Sequence, residues 1–365
     1  MDSVELARHY SEAALRPGAT DKEVAPLAGP VLAALHGPSD PAVPAVLGEL
    51  APVIAEAPAD IAALTATMVG WLCERGVDPG SAASPFVDRF LATVDAAHEF
   101  FVAIATRVAD RLSRGLTVRT PDGERDIYAE ENAARTELVP TMPDQAAAWD
   151  LLMALLPAST AIFGTSPDAK QAALPALGKL QTMSQSHEAA GWLSEMLRVL
   201  DDAPYVAIEP ATGRGIRGRM TGVADNFQLN VLIMNAFPRD PTELPRVSAS
   251  AVELALGHGP QETDETITGT WNLYEWPALA RDGALPPAHG QVGTTHWIWN
   301  EGVPADIPVF GTERVIVLGP PTYVRTWRAQ RAFAYLQATF TVEQTLTEEE
   351  VNDLVQSIAA TPRVG

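Results

Sequence analysis

The sequence predicts an α+β fold: an N-terminal helical bundle, then a strand-rich mixed domain, then a C-terminal helix. Three observations predict it. Apolar residues recur at three- and four-residue steps through the first two hundred positions. After Asp201-Asp202-Ala203-Pro204 the pattern changes to short β-prone runs split by Gly and Pro. The last twenty residues return to helix behind the capping box Thr347-Glu348-Glu349-Glu350. The expected organisation is a helical domain over 1–200, a strand-rich domain with the candidate site over 201–345, and a capped helix and tail over 346–365.

The elements follow in order. Pro and Gly separate several Ala-rich helical pieces between residues 5 and 57. Ile61, Leu64, Met68 and Trp71 (or Leu72) mark a helix closed by Gly76. Ser84-Pro85 reads as an N-cap followed by Pro at the first helical position. Phe90, Val94, Ala97, Phe101, Ile104, Val108 and Leu112 then form one apolar stripe, and Gly115 stands where a C-terminal cap belongs. Pro121-Asp122-Gly123 is a turn signal between short β-prone pieces. Helical patterning returns over 146–156, and Ser166-Pro167-Asp168 opens a further helical region. That region ends with Ala189, Trp192, Leu193, Met196, Leu197 and Leu200 on one face.

Tyr205–Ile208 is a strand candidate. The apolar run over 227–237 fits either a strand or a buried helix, because a run without periodicity does not separate the two. Residues 266–276, 294–300, 307–310 and 314–318 are short β-prone runs. In the tail, Val351, Leu354, Val355 and Ile358 supply the apolar face.

Composition restricts the functional classes. Of 365 residues, 47 % are hydrophobic, enough to build a real core. The net charge is −21, from 46 acidic and 25 basic residues, with no Lys/Arg run. A nucleic acid or an anionic membrane surface needs a basic footprint, so neither is an expected partner. The longest weakly polar stretch, 61–73, is too short to span a bilayer. Cys73 is the single cysteine, which excludes an intramolecular disulfide and a multi-thiolate zinc site. The start, Met1-Asp2-Ser3-Val4-Glu5, lacks the basic and apolar regions of a secretion signal, so a cytoplasmic location is expected. The seven His show neither H-x-x-x-H nor H-x-H spacing. No metal and no cofactor are expected.

Several constellations carry possible chemistry. Gly213-Arg214-Gly215-Ile216-Arg217-Gly218 matches G-x-G-x-x-G, but no helix start follows the third Gly, as a dinucleotide site requires. Arg214, Arg217 and Arg219 fit an anion clamp. They equally fit a Gly-rich hairpin whose arginines pair with surface carboxylates, which is the favoured reading. Asp225-Asn226-Phe227-Gln228-Leu229-Asn230 sets polar groups against an apolar run. Either they form a structural network, or they form a site with Asp225 as general base or ligand anchor and Asn226 on the ligand. His187-Glu188 begins a helix and reads as an exposed start or as an acid/base group.

In 296–301, a strand would put His296, Ile298 and Asn300 on one face and Trp297, Trp299 and Glu301 on the other. Five of the eight Trp follow residue 270. They form either sheet core or a pocket for an aromatic or cationic ligand. The stiff exit Gly319-Pro320-Pro321-Thr322-Tyr323 is a type of loop that borders sites. Arg325, Trp327, Arg328 and Arg331 follow it as a second arginine patch, which Arg314 could join.

The resulting expectation is a metal-independent enzyme acting on a small organic molecule, anionic or aromatic. Asp225, His296 or His187 would move protons. Arg217, Arg219, Asn226 and Arg325 would hold the ligand between Trp297 and Trp299. The alternative is a non-catalytic binding or oligomeric protein with an acidic surface, steering a basic partner or pairing with a second copy.

Overall fold

The computed structural model describes residues 2–119, 125–239, 245–285, 296–321 and 323–362. Helices fill the N-terminal half, a mixed sheet follows, and a helix closes the chain, so the fold is α+β. The chain divides into two compact units, Met1–Leu197 and Arg198–Gly365.

The first unit is helical. It comprises α1 (Ser3–Ala14), α2 (Asp21–Ala33), α3 (Val43–Glu56), α4 (Ala59–Cys73), α5 (Ala83–Ser113), α6 (Ile127–Leu138), α7 (Pro143–Thr165), α8 (Pro167–Ala173), α9 (Leu177–Met183) and α10 (Glu188–Arg198). The long helix α5 buries Phe86, Phe90, Val94, Ala97, Phe100 and Ile104. The burial continues through Phe100 rather than Phe101. Ser84 is not its cap: a 3-10 turn over Gly80–Ala82 feeds directly into the helix, so the chain is already helical before Ser84. Gly115 ends it at φ +73°, a conformation that only glycine adopts without strain. Ser166 caps α8 as expected, accepting from the Ala169 N–H.

Two expectations change here. The longest apolar segment is α7, not 61–73. Its 23 residues are long and apolar enough to cross a membrane, yet 56 % of its apolar window is buried inside the protein. It packs on α4 so closely that a Cβ on Gly70 would lie 2.9 Å from the Ala158 Cα. It is therefore a core helix of this unit. On α10, Ala189, Leu193, Met196 and Leu197 are buried, but Trp192 is 38 % exposed and leaves the predicted face. The Pro121-Asp122-Gly123 turn lies outside the described residues; the flanking Arg119 and Arg125 form an isolated antiparallel bridge.

The second unit contains β1 (Ala203–Glu209), β2 (Arg214–Thr221), α11 (Asn226–Ala236), α12 (Ala249–Ala255), β3 (Glu262–Thr268), β4 (Asn272–Glu275), β5 (Val309–Phe310), β6 (Glu313–Gly319), β7 (Thr326–Gln330), β8 (Thr339–Leu346) and α13 (Glu348–Ala360). The main sheet has the order β4-β6-β1-β2-β8, with β5 also on β6. Strands β1 and β6 are parallel; the other pairs are antiparallel. A separate two-stranded sheet joins β3 to β7. Alternation along β1 explains how both sheet faces are covered. Tyr205 and Ala207 join the core that holds α11 and α12, while Val206 and Ile208 join the core that holds α13.

The run over 227–237 is helix α11. It shows no periodicity because Leu229, Val231, Leu232, Ile233 and Met234 are buried around almost the whole helix. The run over 266–276 is two strands in two different sheets. Of 307–310, only Val309–Phe310 is strand. Residues 294 and 295 lie outside the described set, and the rest of that run makes a single bridge, Tyr274 to Trp297. The glycines of 213–218 serve packing. A Cβ on Gly218 would sit 1.8 Å from the Thr341 carbonyl oxygen, where β8 bulges against β2. Gly213 turns the β1–β2 hairpin at φ +64°. No helix N-terminus follows to hold a pyrophosphate.

Candidate functional site

The segment after residue 295 runs beside β4. The Glu275 N–H donates to the His296 carbonyl, and the Ile298 N–H to the Leu273 carbonyl, each at 2.9 Å. The predicted alternation survives without a full strand. Ile298 enters the α11 side of the core and Asn300 meets Asn230, while Trp297 enters the α13 side.

Trp297 is the centre of an aromatic cluster. Only 9 % of it is exposed, and its ring meets Tyr274 edge-on at 6.2 Å. Trp299 packs on it at 5.2 Å and 55°, and Tyr323 at 6.3 Å and 41°. Trp299 is 47 % exposed and Tyr323 53 % exposed. Among the described residues their rings each touch Trp297 and not each other. The Trp297 indole N–H is enclosed and, among the described residues, has no acceptor.

The segment that carries Trp299 is held by the start of α11. Asp225 is the helix N-cap and accepts from the Gln228 N–H at 2.8 Å. The Asn226 N–H donates to the Gly302 carbonyl, and the Asn226 Nδ2 donates to the Trp299 carbonyl at 2.8 Å. Gly302 leaves room for this amide: a Cβ there would lie 3.1 Å from the Asn226 Nδ2. Asp225 and Asn226 thus position the loop that carries Trp299.

The other predicted residues lie apart. His296 Nδ1 is 3.5 Å from a Glu275 carboxylate oxygen, and this pair extends from the face opposite Trp297. His187 belongs to the first unit and is buried, not an exposed helix start. Its Nε2 donates to the Trp149 carbonyl at 2.8 Å, its Nδ1 is enclosed without a donor, and burial lowers its pKa.

The first arginine group is spread along β2, each member on its own carboxylate. Arg214 pairs with Glu209, Arg217 with Glu313, and Arg219 with Asp202. The hairpin reading, with its surface ion pairs, describes them. The second group does not form a patch. Arg314 donates to the Ala305 and Ile307 carbonyls. Arg331 donates to the carbonyls of Leu254, His258, Gly259 and Ala334. Arg328 stands 3.8 Å from Asp264. Arg325 differs from all of these. It is 9 % exposed, and among the described residues its guanidinium has no hydrogen-bond or ion-pair partner.

Clefts of about 680 Å³ between α4 and α7, and of about 530 Å³ beside α13, are lined by none of the predicted residues. Among the described residues no three His, Cys, Asp or Glu side chains gather as a metal site would need. Burial pushes the Cys73 thiol up to about 12, far from the thiolate a nucleophile requires. Sequence reasoning singled out Trp297 and Trp299 but not Tyr274 or Glu275. Nothing local announces that β4 lies beside 296–298. Tyr323 carried a signal, the Pro-Pro loop before it.

No family model, curated protein or solved structure matches this chain.

Proposed function

We propose that the second unit binds a small planar organic molecule at the cluster formed by Trp297, Trp299 and Tyr323. The observation that supports this most directly is the pair of half-exposed aromatic rings that each touch a buried one. An aromatic side chain half in water stacks a flat apolar ligand at little conformational cost. The Trp299 carbonyl accepts from Asn226, so that ring's backbone is preorganised. The acid/base part of the expectation has weaker support and is left out of the proposal. Asp225 is engaged as a cap, His187 lies in the core of the first unit, and His296 faces away from the cluster.

Saturation-transfer NMR with a panel of aromatic fragments tests this reading. Fragments that bind the wild-type protein should bind Trp299→Ala and Tyr323→Ala at least about tenfold more weakly, as expected when roughly 1.4 kcal/mol of stacking is lost. Binding that both variants leave intact would remove the cluster from consideration.

One observation favours a second reading. Val324, 78 % exposed, adjoins Tyr323, so an apolar protein surface is a rival occupant. Sedimentation would show self-association that Trp299→Ala and Val324→Asp abolish.

A further inference from the structure

We infer that the first unit docks a basic amphipathic helix of a partner protein in the cleft between α4 and α7. This goes beyond the ligand reading above, which concerns the second unit. The cleft holds about 680 Å³ and is open to solvent. Its lining runs over 59–67 on α4 and 147–154 on α7, one stripe on each helix. At 1.5 Å per residue this is roughly 11 Å of groove, about two turns of a docked helix.

The lining specifies the occupant. On α7, Ala147, Leu151 and Ala154 follow one another at helical steps, with the two alanines exposed and Leu151 partly buried between them. Leu64, also partly buried, lines the cleft from α4. Small side chains leave space for the ridge of an incoming helix, and the leucines give it apolar contact. The apolar window of α7 is 56 % buried, so part of its apolar surface has no cover. Two carboxylates complete the lining. Asp60 is exposed, its Oδ1 accepts from the Ile61 N–H at 2.9 Å, and among the described residues no cation pairs with it. Asp150 meets Arg135, yet its side chain is still 65 % exposed. Among the described residues no basic side chain lines the cleft. An apolar groove whose charged members are all acidic complements a helix whose apolar ridge is flanked by Lys or Arg. A second copy is a poorer occupant. Pairing the cleft with itself across a two-fold axis would set Asp60 and Asp150 against their own copies, and any second copy brings a net charge of −21.

Fluorescence anisotropy on the full chain at about 0.15 M NaCl tests the inference with two labelled helical peptides of about 18 residues. Both carry a Leu ridge at helical spacing on an Ala background. One has Lys beside the ridge, and the other has Glu at the same places. The Lys peptide should bind at least about tenfold more tightly than the Glu peptide. The double variant Ala147→Gln with Ala154→Gln, at two exposed lining positions, should weaken the Lys peptide at least about tenfold. Asp60→Lys should weaken it at least about fivefold, whereas Asp88→Lys, the same charge change at an exposed position of α5 outside the lining, should change it less than about twofold. If the Lys peptide does not bind, or the two peptides bind alike, the inference fails. It fails equally if Asp88→Lys acts as strongly as Asp60→Lys, because net charge and not the cleft then holds the peptide. Sedimentation that shows self-association of the wild type, abolished by the double variant, would make the occupant a second copy and overturn the inference. Should the double variant not fold, the contrast between Asp60→Lys and Asp88→Lys decides.

Discussion

His187 shows how one buried polar residue sets a pH limit on a fold. Its Nε2 must carry the proton given to the Trp149 carbonyl, which leaves Nδ1 bare and enclosed. Protonating Nδ1 would bury a charge beside the Trp149 ring, whose centroid lies 4.6 Å away. Burial therefore holds the folded-state pKa below the ordinary histidine value. The unfolded chain then binds the proton more readily than the folded one. The associated stability is complete above the ordinary histidine range and is lost as pH falls through that range toward the folded value. The urea midpoint of the first unit should drop between about pH 7.5 and about pH 5, and His187→Gln should flatten that drop. An equal drop in both proteins would assign the effect to other groups.

At the scale of elements, the edge strand β8 is the informative case. An unpaired edge invites pairing with other chains, and natural sheets blunt it with bulges and charge. Strand β8 has both at one place. Its register against β2 passes from Gln344 opposite Arg217 to Val342 opposite Gly218, so Glu343 is the extra residue of a bulge. The bulge brings the Thr341 carbonyl to where a Gly218 side chain would be. Neighbouring Val342 is 41 % exposed, and Thr339 and Thr341 are also β-prone. Replacing Glu343 with Val should leave the melting temperature within a few degrees and speed aggregation on heating. Light scattering during a thermal ramp measures this, and unchanged scattering would assign the protection to the bulge alone.

At the scale of the whole molecule, charge dominates. A net −21 favours solubility and works against compactness through self-repulsion. The surface ion pairs offset little of this, because exposed pairs contribute about 0–1 kcal/mol each. Added salt screens repulsion over a Debye length of about 10 Å at 0.1 M. The calorimetric midpoint should therefore rise between low salt and about 0.15 M NaCl. A falling midpoint would mean that pairs such as Arg217–Glu313 outweigh the net repulsion.

The sequence by itself determined the features that neighbouring residues encode. The stripe of α5 and its closing Gly115, the Ser166 cap, the capping box of α13, strands β1 and β6, and the change of character at 201–204 are all local patterns of period or capping. The concentration of Trp also pointed to Trp297 and Trp299. Tertiary structure alone decided the rest, because each remaining question asks what lies across a gap in sequence. Only packing on nearly every side makes 227–237 a helix without a stripe. Only the approach of β8 explains Gly218, and only the fold decides that the carboxylates the β2 arginines meet are Glu209, Glu313 and Asp202. Asp225 reads in isolation as part of a structural network or as a base, and is a cap once Gln228 turns back to it. Tyr323 joins the aromatic cluster because the loop after β6 returns beside the segment after residue 295. Arg325, alike in sequence to the arginines around it, is set apart because among the described residues its guanidinium meets no acceptor.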